Sequence, residues 1–208
     1  MKKIIAPIFI LLVLISCEKE EEKTPVIAGE TNAEMLLYEF NPAMKIELQT
    51  DSANNIKYGH DSLDINLDGR YDLFFDLKLF IDWQDTLRLD FFYFNTRLLL
   101  KNGLGFITKI ETYYVGLGVI KDFAWADTIN SGSIIDRKAE WSGTDTYLAM
   151  WTQPPPSTLS NGCWYNVLNE EKYFGFRMKI NSTYKYGWIK LIQDSERNIE
   201  ILSYAIEK

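Results

Sequence analysis

Oxygen-bearing side chains recur at short, regular intervals near residue 70. They fill positions 1, 3, 5 and 9 of one loop, as Asp64, Asn66, Asp68 and Asp72. Alternate residues of a tight loop point their side chains inward, and Gly69 at position 6 permits the sharp turn. Calcium takes six to eight oxygen ligands, so these side chains and the backbone carbonyl of Arg70 predict a structural calcium site.

The loop lacks one ligand that a helix-loop-helix calcium site requires. Its twelfth position is Phe75, where an EF-hand carries a bidentate Glu, so the spacing excludes an EF-hand. The loop resembles instead the DxDxDGxxD loops that connect two β-strands in extracellular repeat proteins. A solvated turn is the alternative, because Asp and Asn also tolerate turn geometry. Carboxylates this close repel one another without a cation, which favours calcium.

Tryptophans in the middle of the chain lie among amide, hydroxyl and carboxylate side chains. They are Trp125, Trp141, Trp151 and Trp164. One face of a pyranose can pack on a flat ring while its hydroxyls find polar partners, so these residues form a candidate glycan-binding platform. Core filling is the alternative, because the chain holds 6 Trp, 12 Tyr and 12 Phe, most of which must be interior.

The carboxylates that follow the calcium loop are the main candidates for catalytic residues. They are Asp76, Asp82, Asp85 and Asp90. A pair of them about 5 to 9 Å apart could serve glycoside hydrolysis, but acidic residues are common on the solvent face of antiparallel strands. His60, the single histidine, is expected to be a surface loop residue rather than a base. A glycan-active hydrolase is therefore the runner-up to a non-catalytic module.

The elements that position these residues are predicted to be β-strands. From Met44 onward apolar residues alternate or form short runs, separated by Gly, Asn, Asp and Ser. The only helical candidate is the short segment 33–38. Eight strands are predicted, over 44–49, 72–81, 86–94, 106–114, 139–150, 173–180, 184–193 and 198–206. The expected fold is an all-β, antiparallel, jelly-roll-like β-sandwich.

The last third of the chain has the cleanest alternation. Phe174, Phe176 and Met178 alternate with polar or small residues, and turn residues follow at 181–183 and 194–197. This pattern predicts a C-terminal three-stranded meander. Gly187, between two aromatic residues, indicates a bulge or a place where a neighbouring ring lies across the backbone.

The same strands resemble those of a broad group of secreted and surface-anchored bacterial β-proteins. The matching segments are 173–177, 186–191 and 202–207, which are similar to YxGFRF, YGWxRL and YAYE, together with the loop at 64–72. The middle of the chain, 86–161, has no counterpart in the group. The resemblance implies a fold and no particular activity, since a fold does not imply a function.

The N-terminal residues carry a targeting signal. Two lysines precede an apolar stretch over 4–15, which is typical of a secretory signal and too short to cross about 30 Å of hydrocarbon. Leu-Ile-Ser-Cys at 14–17 resembles the lipobox of bacterial lipoproteins, in which the cysteine is linked to diacylglycerol. We therefore expect residues 1–16 to be a signal peptide and Cys17 to be lipidated; an ordinary secretory signal is the alternative.

An acidic run follows the cysteine at 18–23. It resembles the export signal behind the lipidated cysteine in surface lipoproteins of the Bacteroidota, with a generic soluble linker as the alternative. The predicted organisation is a lipidated, flexible tether over 17–32 and a single β-sandwich domain over 33–208. Lipidation of Cys17 would leave Cys163 as a free thiol.

The charge balance excludes some partners. The 208 residues include 22 Lys and Arg against 29 Asp and Glu, a net charge of −7, which argues against nucleic acid and anionic bilayer surfaces. The expected protein is an outer-membrane lipoprotein, held by its lipid and displayed at the cell surface. We expect a binding or structural module whose candidate partners are a glycan or, for a scaffold, an outer-membrane transporter.

Overall fold

A computed structural model describes residues 24–53, 56–84, 89–100, 103–114, 120–153 and 159–208. These residues form an all-β sandwich, as the sequence predicted, and no helix occurs among them. No helix in these ranges is long and apolar enough to cross a membrane.

The strands are numbered in chain order. They are β1 (Val26–Ile27), β2 (Met35–Ile46), β3 (Gln49–Asp51), β4 (Ile56–Leu63), β5 (Leu73–Gln84), β6 (Leu89–Leu100), β7 (Gly105–Tyr114), β8 (Ile120–Ala126), β9 (Ile134–Ile135), β10 (Trp141–Ser142), β11 (Thr146–Gln153), β12 (Leu159–Asn161), β13 (Lys172–Ile180), β14 (Thr183–Gln193) and β15 (Ile199–Glu207).

Strand β7 links the two halves of the sandwich. Its first residues pair with β13, which continues through β14 and β15 to β2, and its later residues pair with β8. Beyond β8 the order is β11, β6, β5, β4 and β3. The pairs are antiparallel except the single bridge between β8 and β11, which is parallel.

The main core lies between the two halves. Leu73, Phe75 and Leu77 of β5 belong to the same buried cluster as Phe174 and Phe176 of β13. Successive residues of a strand point to opposite faces, so the alternation predicted for the C-terminal strands buries one face of each. The predicted three-stranded meander is present as β13, β14 and β15.

A second apolar cluster lies on the opposite face of the meander. It contains Tyr173, Trp188 and Ala205 from the meander, with Val26 and Ile135 from the β1–β9 ribbon that covers them. Val26 and Ala28, inside the predicted tether of 17–32, pack in this cluster, whereas residues 29–34 are exposed. Apolar residues too few to form a core of their own are here buried against a preformed sheet.

Two further expectations about the elements need correction. The helical candidate at 33–38 is wrong, since from Met35 the chain is strand β2, paired with β15. Strands β4 and β8 were not predicted, although β4 pairs along its whole length with β5. Such pairing with a neighbour can override a weak local pattern.

Candidate functional site

An arginine and three aromatic residues meet on the outer face of the meander, at the edge of the second apolar cluster, against which two of the aromatic residues pack. Arg177 of β13 lies directly opposite Tyr186 of β14 and opposite Gly105 of β7. Tyr184, two residues before Tyr186, occupies the diagonal position on the same face. Trp141 of β10 lies on the other side of β7, paired with Ile107. We call these four side chains, Trp141, Arg177, Tyr184 and Tyr186, the aromatic–arginine cluster.

Gly105 of β7 lies between Arg177 and β10. A Cβ atom on Gly105 would lie 2.9 Å from the carbonyl oxygen of Ser142 and 3.6 Å from Nε of Arg177, so the glycine is required by the close approach of β10. The Cζ atom of Arg177 lies 5.0 Å from the Trp141 ring centroid. The same Cζ lies 4.5 Å from the Tyr184 ring centroid. Both distances are within the range of an attractive cation–π contact.

Hydrogen bonds and ring packing hold the aromatic residues in place. Nε1 of Trp141 donates a hydrogen bond to the carbonyl oxygen of Asp136 at 3.0 Å, and the ring centroid lies 5.6 Å from that of Tyr186. The backbone N–H of Tyr186 donates to Glu207 Oε2 at 3.0 Å. Burial raises the pKa of the Tyr186 hydroxyl although Arg177 opposes the rise, so the hydroxyl stays protonated at neutral pH.

The cluster is open to solvent and has polar neighbours. Tyr184 is 39% exposed, and Trp141, Arg177 and Tyr186 are partly buried. The hydroxyl oxygens of Ser142 and Thr144 lie 2.8 Å apart in the segment that begins next to Trp141. Accessible rings and a cation are thus available to one ligand.

The structure separates the four tryptophans that the sequence grouped as a glycan platform. Trp125 and Trp164 are 0% exposed and fill the interior, so neither offers a ring face to a sugar. Trp151 is on β11, and its side chain is outside what the structure describes. Trp141 alone among the four has a described ring at the surface. A tryptophan in the core and a tryptophan that binds a sugar look alike in a sequence, so the sequence could not choose between core filling and a glycan-binding platform.

The loop predicted to bind calcium connects β4 to β5. Hydrogen bonds from its backbone N–H groups to its own side-chain oxygens hold it together. Both carboxylate oxygens of Asp64 accept backbone hydrogen bonds, from Asp68 at 3.1 Å and Gly69 at 2.7 Å. Asn66 Oδ1 accepts from Asp68 N–H, and Asp68 Oδ1 accepts from Arg70 N–H. Gly69 has a φ of +87°, so it makes the sharp turn expected of it.

The end of this loop is anchored in the core. Asp72 is fully buried, and its Oδ2 accepts a hydrogen bond from the backbone N–H of Ile65 at 2.9 Å. The Tyr204 hydroxyl donates to the carbonyl oxygen of Asp64 at 3.2 Å, and burial raises the Tyr204 pKa to about 12. Within the described ranges, no three His, Cys, Asp or Glu side chains form a group that could hold a metal ion. The carboxylates searched include those of the predicted donor set, Asp64, Asp68 and Asp72.

Cys163 lies at a partly buried position beside an ion pair. Nζ of Lys109 is 3.3 Å from Oδ1 of Asp127, and burial together with the Asp127 carboxylate raises the pKa of the Cys163 thiol to about 11. The thiol is therefore protonated, and a poor nucleophile, at neutral pH. It has no disulfide to any residue that the structure describes. Cys17 lies outside those residues.

Among the described side chains, the carboxylates considered for glycoside hydrolysis do not form a pair. Asp76 makes an ion pair with Lys78 at 2.8 Å, and it lies opposite His60 in the β4–β5 register. His60 is exposed as predicted but is on strand β4, where its ring stacks on Tyr58. The side chains of Asp82 and Asp90, and the whole of Asp85, lie outside the described part of the chain.

Sequence reasoning missed three of the four residues of the aromatic–arginine cluster. Arg177, Tyr184 and Tyr186 were assigned to the meander strands only as members of an alternating pattern. The available signal was that these three residues occupy the face opposite to Phe174 and Phe176. The contact with Trp141, 36 residues before Arg177 in the chain, depends on the pairing of β7 with both β10 and β13.

Comparisons with known proteins add no functional precedent. No family model, characterised protein or solved structure significantly matches this chain.

Proposed function

We propose that this protein is a lipid-anchored, non-catalytic binding module of the cell envelope, and that its ligand is a glycan. The observation that carries the proposal is the aromatic–arginine cluster. Its rings lie on a rigid sheet, supported by the second apolar cluster, and Tyr184 presents 39% of its surface to solvent. Binding sites on rigid elements keep their geometry better than sites on loops.

The chemistry of the cluster suits a sugar. An aromatic ring offers an apolar surface for the C–H face of a pyranose, and polar groups at its edge recognise the hydroxyls. Trp141 and Tyr184 supply rings, while the Arg177 guanidinium between them supplies a polar group at the same surface.

A pair of matched tyrosine variants tests the glycan proposal. Tyr58 on β4 is also 39% exposed, so it controls for the loss of an exposed ring. We expect Tyr184→Ala to lower retention on a polysaccharide affinity gel at least tenfold, and Tyr58→Ala to leave it unchanged. The gels would contain xylan, pectin and dextran. Equal effects of the two substitutions would contradict the proposal, and release of reducing ends from any of the polysaccharides would favour the hydrolase.

The lipid anchor is the second part of the proposal. It is supported by the Leu-Ile-Ser-Cys sequence behind a short apolar stretch. Val26 is packed in the fold, and the nine residues from Cys17 to Val26 can span at most about 30 Å. An acylated Cys17 would therefore hold the domain close to the membrane.

Substitution of the cysteine tests the anchor. We expect Cys17→Ala to move the protein from the membrane fraction to the soluble fraction, because two or three acyl chains supply most of the affinity for the bilayer. Cys163→Ala is the matched control and should stay with the membrane. Retention of the Cys17→Ala protein in washed membranes would show that the lipobox interpretation is wrong.

Calcium in the β4–β5 loop is the third part, with a structural role. Its support is the donor set of Asp64, Asn66, Asp68, Arg70 and Asp72 in a turn whose glycine and backbone hydrogen bonds are already arranged. Calcium there would offset the mutual repulsion of the carboxylates. Extracellular modules of this kind bind calcium at about 10⁻⁴ to 10⁻³ M.

Thermal unfolding tests the calcium site. At 10 mM calcium, mass action should stabilise the protein by about 1–3 kcal/mol, and Asp68→Ala should remove that increment. Asp61→Ala is the control, since Asp61 is exposed and lies outside the donor set, and its carboxylate accepts a local hydrogen bond from Ser62 N–H. If calcium shifts the melting of neither the wild type nor the Asp61→Ala protein, the loop is an ordinary acidic turn.

A further inference from the structure

Arg177 forms no ion pair within the described part of the chain. Among the residues that the structure describes, its guanidinium contacts two rings and makes neither an ion pair nor a hydrogen bond. Two of the lysines on the same two strands are paired with carboxylates: Lys172 with Glu170, and Lys190 with Glu171. In a chain of net charge −7, carboxylates are abundant, so the missing partner at Arg177 is informative.

Two carboxylates close enough to act on Tyr186, those of Glu207 and Asp136, already accept other hydrogen bonds. Glu207, across the sheet from Tyr186, accepts the Tyr186 backbone N–H, and Asp136 Oδ1 accepts the N–H of Lys138 at 2.7 Å. The ring contacts meanwhile hold the guanidinium in place. Its five N–H donors form a planar fork that matches the paired oxygens of a carboxylate or sulfate.

We propose that the aromatic–arginine cluster recognises an acidic saccharide, with the carboxylate or sulfate of the sugar on Arg177 and its pyranose ring against Trp141 and Tyr184. This inference rests on the proposed glycan function and narrows it to a charged ligand. The rings favour a sugar over an acidic peptide, because a peptide carboxylate would use the fork and leave the exposed ring surface unused. The N–H donors of Arg177 are already fixed by the two ring contacts. Binding therefore costs little additional side-chain entropy, which favours affinity.

Titration calorimetry with paired probes tests the inference. Oligogalacturonate and its methyl ester share one chain and differ in charge, and dextran sulfate and dextran form a second such pair. We expect at least one charged probe to bind ten times or more tighter than its neutral partner, and to weaken as sodium chloride is raised. Oligogalacturonate with its ester tests recognition of a sugar carboxylate, and dextran sulfate with dextran tests recognition of a sugar sulfate.

Three variants complete the test. Arg177→Gln should abolish the preference for charge. Arg177→Lys should keep only part of it, since lysine retains the charge but lacks the fork. Lys45→Gln, on the edge strand β2, removes an exposed cation elsewhere and should leave the preference for charged probes unchanged. Melting temperatures of all three would verify that each variant is folded.

Each other outcome contradicts a defined part of the proposal. Equal binding of charged and neutral probes, or a preference that survives Arg177→Gln, would overturn the acidic-saccharide inference and leave the glycan function standing. Binding of poly-glutamate as tight as that of oligogalacturonate would assign the site to acidic peptides instead. A protein that binds none of the probes, neutral or charged, would remove the proposed glycan function and this inference with it.

Discussion

Replacing Gly187 with alanine is expected to lower the free energy of unfolding by about 3 kcal/mol or more. An added Cβ would lie 2.8 Å from Cε1 of Phe176, and it would overlap the carbonyl oxygen of Ala205 on β15. Neither neighbour can move freely, because Phe176 is fully buried and Ala205 pairs with Trp188 in the sheet. Overpacking of this kind costs about 1–3 kcal/mol where side chains can adjust, and more where backbone must shift.

The control is a glycine with open space around it. Gly143, in the bend after β10, has no atom within 4 Å of a built Cβ and no positive φ. Gly143→Ala should therefore change stability by less than about 1 kcal/mol. Thermal or urea unfolding measures both, and a Gly187→Ala protein as stable as the Gly143→Ala protein would show that the Phe176 ring does not lie across the Gly187 backbone.

Replacing Trp164 with alanine is expected to cost about 3–5 kcal/mol of stability, the range for a large aromatic side chain removed from a core. Trp164 is fully buried in the main core, and its ring packs edge-on against Phe174 with centroids 6.2 Å apart. For a domain of this size each kcal/mol lowers the melting temperature by about 2–4 °C. The loss should thus be plain in a melting curve.

Two further substitutions separate a core role from a binding role. Nε1 of Trp164 has no hydrogen-bond partner in the described structure, so Trp164→Phe loses no hydrogen bond and should cost less than Trp164→Ala. Trp141→Ala should cost less stability than Trp164→Ala, because Trp141 is only partly buried, yet it should impair glycan retention. A Trp164→Ala protein that melts normally and fails to bind would reverse these assignments.

The aromatic–arginine cluster and the calcium loop lie in different parts of the fold, and their proposed roles are independent. The loop joins β4 to β5 and contacts Tyr204 of β15, whereas the cluster is carried by β10, β13 and β14. Loss of calcium should therefore lower stability without changing the contacts of Arg177. This separation lets the two proposals be tested one at a time.

The amino-acid sequence alone determined the class of fold and the local geometry. Alternation of apolar residues is a property of neighbouring positions, so the meander and the buried face of β13 could be predicted from it. Gly187 between two aromatic residues indicated either a bulge or a ring across the backbone, and the structure places the Phe176 ring there. The turn at Gly69 could be predicted from the sequence as well, because its hydrogen bonds join residues at most five positions apart. Where an interaction is local, its signal is local too.

Only the tertiary structure decided which residues share a surface. The sequence made Trp164 and Trp141 equal candidates for binding a sugar. In the structure Trp164 is buried against β13, while Trp141 meets Arg177 across Gly105 of β7. Val26 looked like part of a tether until the second apolar cluster gave it a surface to cover. Burial and cross-strand contact depend on the pairing of strands far apart in the chain, and residue types at one position carry no record of that pairing.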